Sequence, residues 1–151
     1  LESKLPIERL VVMVQKEVAE RMIAKPGTKM YGALSVAVQY YTDPYIVMDV
    51  PPKAFLPAPE VTSAVICCPL RSEPPVKVHS EAYFFRAVKA GFAQRRKTFS
   101  NTMKTTGLSK EVIEAILAKA NIDGSRRGET FTLDEFALIG NAWYELEQKN
   151  T

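Results

Sequence analysis

Tyr45-Ile46-Val47-Met48-Asp49-Val50 and Ser63-Ala64-Val65-Ile66-Cys67-Cys68 are the two runs whose reading decides the fold. Both are rich in β-branched and aromatic residues and read as strands. Between them lies Pro51 to Thr62, which holds four of the chain's ten prolines: Pro51, Pro52, Pro57 and Pro59. A right-handed parallel crossover needs more residues than this, and usually a helix. Two strands joined by a short, stiff loop therefore form an antiparallel pair.

Working outward toward the N-terminus, Asp43-Pro44 closes a helix over Ala33 to Tyr41, with Leu34, Val38 and Tyr41 on one side. Pro26-Gly27 ends an earlier helix built from Lys16-Glu17-Val18-Ala19-Glu20-Arg21-Met22-Ile23. Ahead of that, Arg9-Leu10-Val11-Val12-Met13-Val14 is a continuous apolar run. It suits a strand buried on both faces of a mostly parallel sheet. Leu1-Glu2-Ser3-Lys4-Leu5-Pro6 gives no helix of its own and reads as the end of something upstream, so the chain is expected to be a C-terminal portion. Residues 1–71 thus read as the end of an α/β sheet with an antiparallel edge.

Toward the C-terminus, residues 72–76 read as a linker, with Ser72-Glu73-Pro74-Pro75 breaking the pattern. Residues 77–151 read as all-helical: one helix from about Glu81 to Lys104, a second capped by Ser109, and a third opened by the capping-box signature Thr132-Leu133-Asp134-Glu135. The class is therefore α/β followed by all-α.

Charge singles out the first of these helices. The chain carries a formal +3, and residues 72–151 have 12 basic and 10 acidic side chains. From Ala82 to Lys110 there is no acid, while Arg86, Lys89, Arg95, Arg96, Lys97, Lys104 and Lys110 are all basic. That concentration points to a polyanion such as RNA; the plainer alternative is a solvated helix face. On a helical wheel Phe84, Val88, Phe92, Phe99 and Met103 share an arc, with Arg86, Lys97 and Lys104 opposite and Lys89 and Arg96 at the boundary. These five cations are the RNA-binding candidates. Arg95 falls on the apolar arc, where a guanidinium needs a carboxylate or carbonyls. Either the helix breaks near Gln94, or Arg95 ties this domain to a neighbour; in both cases its role is structural.

Hydrophobic content is 46% and charged content 25%, so a packed core is expected. No apolar run approaches the roughly 20 residues of a membrane span. Cys67 and Cys68 are adjacent, so a bridge between them would be badly strained. With His79 the only histidine, buried reduced thiols are the favoured reading over a redox or metal site, and this favours a cytoplasmic protein with no metal.

Three blocks resemble the ribosomal RNA adenine dimethyltransferases, and their bacterial small-subunit branch more than the macrolide-resistance enzymes. The first is Val14-Gln15-Lys16-Glu17-Val18-Ala19-Glu20-Arg21 with Pro26-Gly27 and Tyr31-Gly32-Ala33-Leu34-Ser35-Val36. The second is Phe55-Leu56-Pro57-Ala58-Pro59-Glu60-Val61-Thr62-Ser63-Ala64-Val65, and the third Phe92-Ala93-Gln94-Arg95-Arg96-Lys97-Thr98-Phe99. The resemblance implies a Rossmann-like methyltransferase domain followed by a small helical RNA-binding domain. It implies methyl transfer from S-adenosylmethionine to two adjacent adenines near the 3′ end of small-subunit ribosomal RNA, during biogenesis of the 30S subunit. The family's glycine-rich cofactor loop and Asn-Leu-Pro-Tyr tetrapeptide do not occur here, and no Gly-x-Gly is present. The chain alone is therefore expected to bind no cofactor and to be inactive. Glu60 and Ala33 depart from the family's usual basic residues, and Glu60 is left out of the site for that reason.

An adenine amine is a poor nucleophile, so the base must be flipped out and held against the methyl donor. The resemblance assigns Phe55 to stacking on the flipped base, a contact worth about 1–3 kcal/mol; the alternative is a core anchor for its loop. Gln15 and Glu17, at the end of the first strand, either face the active site or hold the next loop. Three functions compete: a part of the enzyme, a non-catalytic RNA-binding or ribosome-assembly module, and a helical protein-interaction domain. An exposed edge on the first strand would invite dimerisation or swapping.

Overall fold

The computed structural model describes Leu1 and residues 6–149, so most of the opening stretch read above as the end of an upstream element lies outside the described residues. The chain divides into two compact units, residues 1–25 with 30–75 and residues 26–29 with 76–151.

The first unit is a three-stranded sheet with two helices. Strands β1 (Arg9–Gln15), β2 (Tyr45–Val50) and β3 (Ser63–Pro69) lie in the order β1-β3-β2, every pair antiparallel. The β2–β3 pairing agrees with the stiff-loop argument. The parallel reading of β1 does not hold: Val11 faces Cys67 and Met13 faces Val65 across an antiparallel ladder. Nor is β1 buried on both faces, because its residues alternate between exposed and half-buried. Helices α1 (Lys16–Ile23) and α2 (Ala33–Tyr41) cover only one face, where Ala19, Met22 and Val38 pack with Ala64, Ile66 and Cys68. Leu10, Val12, Val14 and Ile46 complete that core. The opposite face carries Val11, Met13, Tyr45 and Met48 to solvent.

The two helices are held by side chains that satisfy loose backbone. The Ser35 hydroxyl donates to the Arg21 carbonyl and accepts the Gly32 N–H. The Gln39 amide donates to the Met22 and Ala24 carbonyls at the end of α1. Cys67 and Cys68 are free and buried on opposite sheet faces. Burial pushes the Cys68 thiol up, partly offset by a hydrogen bond with Thr42, so it stays protonated and unreactive.

The second unit is helical: α3 (Glu81–Gly91), α4 (Phe99–Thr102), α5 (Lys110–Ala120) and α6 (Leu133–Lys149), with a one-turn 3-10 helix over Met103–Thr106. Its core joins Phe84, Phe99, Met103, Ile116, Phe131, Phe136 and Ile139, all fully buried. The Ser109 hydroxyl accepts the Val112 N–H, and Thr132 and Glu135 exchange the two bonds of a capping box. The expected helix from Glu81 to Lys104 is not continuous. It stops at Gly91, and residues 92–98 form a turn before Thr98 caps α4 by accepting the Asn101 N–H. Arg95 is consequently half-exposed instead of buried on the apolar arc. Its guanidinium donates to the Lys29 carbonyl and lies 3.7 Å from the Glu129 carboxylate.

Candidate nucleic-acid interface

In the sheet unit, one edge gathers the loop chemistry. Gln15, Ser63 and Val50 stand in register across β1, β3 and β2, so the carboxyl ends of β1 and β2 flank the start of β3 at one end of the sheet. The Pro51–Thr62 loop leaves from this edge. Lys16 at the start of α1 pairs with Asp49 near the end of β2 at 2.9 Å, and this raises the lysine pKa. The Lys16 N–H donates to the Thr62 carbonyl, tying the other end of the loop.

Phe55 sits inside that loop. Pro52–Ala54 form one 3-10 turn, and the Phe55 N–H donates back to the Pro52 carbonyl at 3.2 Å. Its ring is half-buried while Leu56 beside it is fully exposed. Proline fixes the backbone without needing an N–H partner, so the ring is held at low entropic cost. Glu17 pairs with Arg21 on its own helix, and Gln15 is exposed at the strand end.

In the helical unit, the five predicted cations occupy three successive pieces of chain. Arg86 and Lys89 are on α3, Arg96 and Lys97 on the turn after it, and Lys104 on the 3-10 helix. All five are exposed, and none forms an ion pair among the described residues. By contrast Arg95, Lys110, Lys119, Arg126 and Arg127 each face a carboxylate. Charges left without carboxylate partners among the described residues, on a stretch that contains no acid, set up a positive surface whose counterions a polyanion would release.

One constellation escaped the sequence reading. On α6 the Glu147 carboxylate accepts the Trp143 indole N–H at 3.0 Å and the Tyr83 hydroxyl from α3. The Tyr83 ring also lies 4.7 Å beneath the Arg86 guanidinium. Trp143 alone reads as a core residue and Glu147 as a surface one. Only the spacing of four between them, one helical turn, signalled that they could meet.

Comparison with known proteins places the chain. The family model for ribosomal RNA adenine dimethylase matches residues 1–138. The ribosomal RNA small subunit methyltransferase A of Geobacillus sp. (strain WCH70) is 53% identical over 146 residues, covering 94% of this chain and 50% of that protein. That of Oceanobacillus iheyensis is 45% identical, covering 99% of this chain and 52% of that protein. The chain thus spans about half the length of the curated relatives it matches. Among solved structures, a dimethyladenosine transferase from Plasmodium falciparum superposes with a TM-score of 0.74 at 19% identity, over 99% of this chain and 61% of that one. The 23S rRNA methyltransferase ErmE superposes at 0.59 and 20% identity, over 93% of this chain and 57% of that one. At such identities these two likenesses bear on the fold alone. The match to the family model over residues 1–138 settles the lineage: this chain belongs to the ribosomal RNA adenine dimethylase family.

Proposed function

We propose that the chain is the substrate-handling part of a small-subunit ribosomal RNA adenine dimethyltransferase. Residues 1–71 are the C-terminal end of its Rossmann-like methyltransferase sheet, and residues 77–151 its RNA-binding domain. The observation that carries this reading is the group of five exposed cations without carboxylate partners. Arg86, Lys89, Arg96, Lys97 and Lys104 hold the phosphate backbone of the small-subunit RNA within the 30S particle. Phe55 takes the exposed face of a flipped adenine, and its proline-stiffened loop keeps the ring in place when no base is bound.

S-adenosylmethionine supplies the methyl group in this family's chemistry. The residues of this chain do not fit that cofactor: the sequence has seven glycines and no Gly-x-Gly, so no glycine-rich phosphate or cofactor loop is formed from it. The chain is therefore assigned binding and base presentation, and calorimetric titration with S-adenosylmethionine is expected to give no heat of binding.

A non-catalytic RNA-binding module would use the same cations and ignore Phe55, which supplies the test. Fluorescence anisotropy with an RNA hairpin carrying the two adjacent adenines should show Lys97→Glu weakening binding by about tenfold, as loss of a charged contact implies. The dependence on salt should fall by about one counterion. Phe55→Ala should weaken binding by about fivefold or more, the low end of a base stack. An Lys97→Glu variant of unchanged affinity would refute the interface. A loss in Lys97→Glu with Phe55→Ala unchanged would select the binding module. Salt-insensitive binding to a protein partner, with none to RNA, would select the interaction domain.

A further inference from the structure

Packing does little to hold the loop that carries Phe55. Its prolines, Pro51, Pro52, Pro57 and Pro59, supply no N–H. Ala54 and Phe55 donate their N–H groups to the Pro51 and Pro52 carbonyls at 3.0 and 3.2 Å, which closes one turn. Beyond that turn, residues 56–61 are all exposed. The place of the Phe55 ring therefore depends on how the two ends of the loop are fixed.

Both ends meet one residue. The Lys16 ammonium lies 2.9 Å from the carboxylate of Asp49, two residues ahead of Pro51. The Lys16 N–H donates at 2.9 Å to the carbonyl of Thr62, the last residue of the loop. We propose that Lys16 is the positioning residue of the Phe55 loop, with its side chain fixing the entry and its backbone fixing the exit. The proposal rests on the reading of Phe55 as the base-stacking residue, and adds what holds that ring before a base arrives.

Register and helix chemistry carry the argument. Asp49 stands opposite Ala64 in the β2–β3 ladder, so the two point to the same face of the sheet. Ala64 is in the core beneath α1 and α2, so Asp49 lies on the helix-covered face, at its rim. Lys16 reaches it from the start of α1, across β3, over a sequence separation of 33. Helix energetics alone does not call for a lysine there, because the first turn favours acids and a cation opposes the dipole. A first-turn N–H has no partner within its own helix, and that of Lys16 finds one in Thr62. Nor does the ion pair add much stability, since its side chains are 44% and 48% exposed. A lysine serving the RNA backbone directly would lack a carboxylate, as the five cations of the helical unit do.

Trypsin reads the loop without RNA, because Lys53 is exposed within it. In the 151-residue chain, Lys16→Met should speed cleavage after Lys53 by about threefold, within what an exposed ion pair can shift. Cleavage after Arg71 and the melting temperature should stay unchanged. Affinity for the RNA hairpin carrying the two adjacent adenines should fall by about threefold. It should fall no further when Lys16→Met is added to Phe55→Ala, because both changes remove the same contact. Asp49→Asn separates positioning from charge. It removes a negative charge, which by electrostatics alone would tighten RNA binding, whereas loss of the clamp weakens it. Exchanging the pair, Lys16→Asp with Asp49→Lys, should restore affinity.

Unchanged cleavage after Lys53 in Lys16→Met would overturn the proposal. So would tighter RNA binding by Asp49→Asn, or losses from Lys16→Met and Phe55→Ala that simply add. Faster cleavage at every site with a lowered melting temperature would assign Lys16 a general structural role instead. If Lys16→Met opens Lys53 to trypsin but Phe55→Ala leaves RNA affinity unchanged, the base-stacking reading fails and the clamp stands. If Phe55→Ala weakens binding but cleavage after Lys53 ignores Lys16→Met, only the clamp fails.

Discussion

Arg95 lies two residues from Lys97 and spends its charge inside the protein. It joins the Lys29 carbonyl and Glu129, whereas Lys97 has no carboxylate partner among the described residues. A charge-assisted hydrogen bond is worth about 1.5–3 kcal/mol, and the half-exposed setting of Arg95 reduces this to about 1 kcal/mol. Arg95→Ala should therefore lower the melting temperature of the helical unit by about 4–8 °C. Its RNA affinity should stay as it was, and a loss of affinity at constant melting temperature would reverse the assignment. Glu135 makes a second prediction at this scale. The Arg126 guanidinium holds its carboxyl below the usual carboxylate value, with the Thr132 N–H assisting against the cost of burial. With the folded value depressed, the stabilisation is complete above the unfolded carboxylate value and is lost as pH falls through the folded one. Melting temperatures should thus fall between about pH 5 and pH 3, and Glu135→Gln should flatten that part of the profile while lowering stability at neutral pH. Of the residues proposed to carry function, the cations were legible in the sequence because a run without acids is a local fact. The pairing of Glu147 with Tyr83 was not, because it exists only where α3 meets α6.

The elements whose signals are local were legible. Proline-glycine stops and apolar patterning marked α1 and α2 to the residue, caps and the capping box marked where α5 and α6 begin, and the proline loop marked the antiparallel β2–β3 pair. The break between α3 and α4 was hidden by arithmetic. Phe92 and Phe99 are seven positions apart, two helical turns, so the apolar arc stays in phase across a turn that is not helical. The cause of the break is tertiary. The Gly91 carbonyl lies so near Gly128 that a Cβ there would approach its oxygen to 2.2 Å, and Phe99 donates its N–H to the Arg126 carbonyl. The same close approach sets the crossing of α3 and α6, where a Cβ on Gly140 would fall 2.9 Å from the Phe84 Cα. Backbone cannot yield as a flexible side chain does, so Gly140→Ala must push the helices apart. A cost of about 1–3 kcal/mol is expected from overpacking, with Gly128→Ala costing more, and thermal melts followed by circular dichroism would measure both. Wild-type stability in Gly140→Ala would mean the crossing has slack that these distances deny.

At the scale of the whole molecule the sheet is the unfinished part. The β1 run reads as a strand apolar on both sides because it is one, yet the chain supplies helices for a single face. Val11, Met13, Tyr45 and Met48 remain 50–55% exposed on the other. Among the described residues β1 pairs with β3 alone, so its outer edge also presents N–H and C=O groups with no strand beside them there. An apolar face next to an open strand edge is the combination that recruits another strand. A second copy of this chain offers the same face and the same edge, and isologous pairing through β1 would cover both at once. Sedimentation velocity should accordingly show mass rising with concentration. Val11→Lys combined with Met13→Lys should return the chain to monomer, because a charge on the open face and edge opposes pairing. Both positions are exposed, so these substitutions should leave the folding stability within about 0.5 kcal/mol of its starting value. A chain that stays monomeric at every concentration would show that the open face does not recruit a second copy, and the argument from β1 would fall with it.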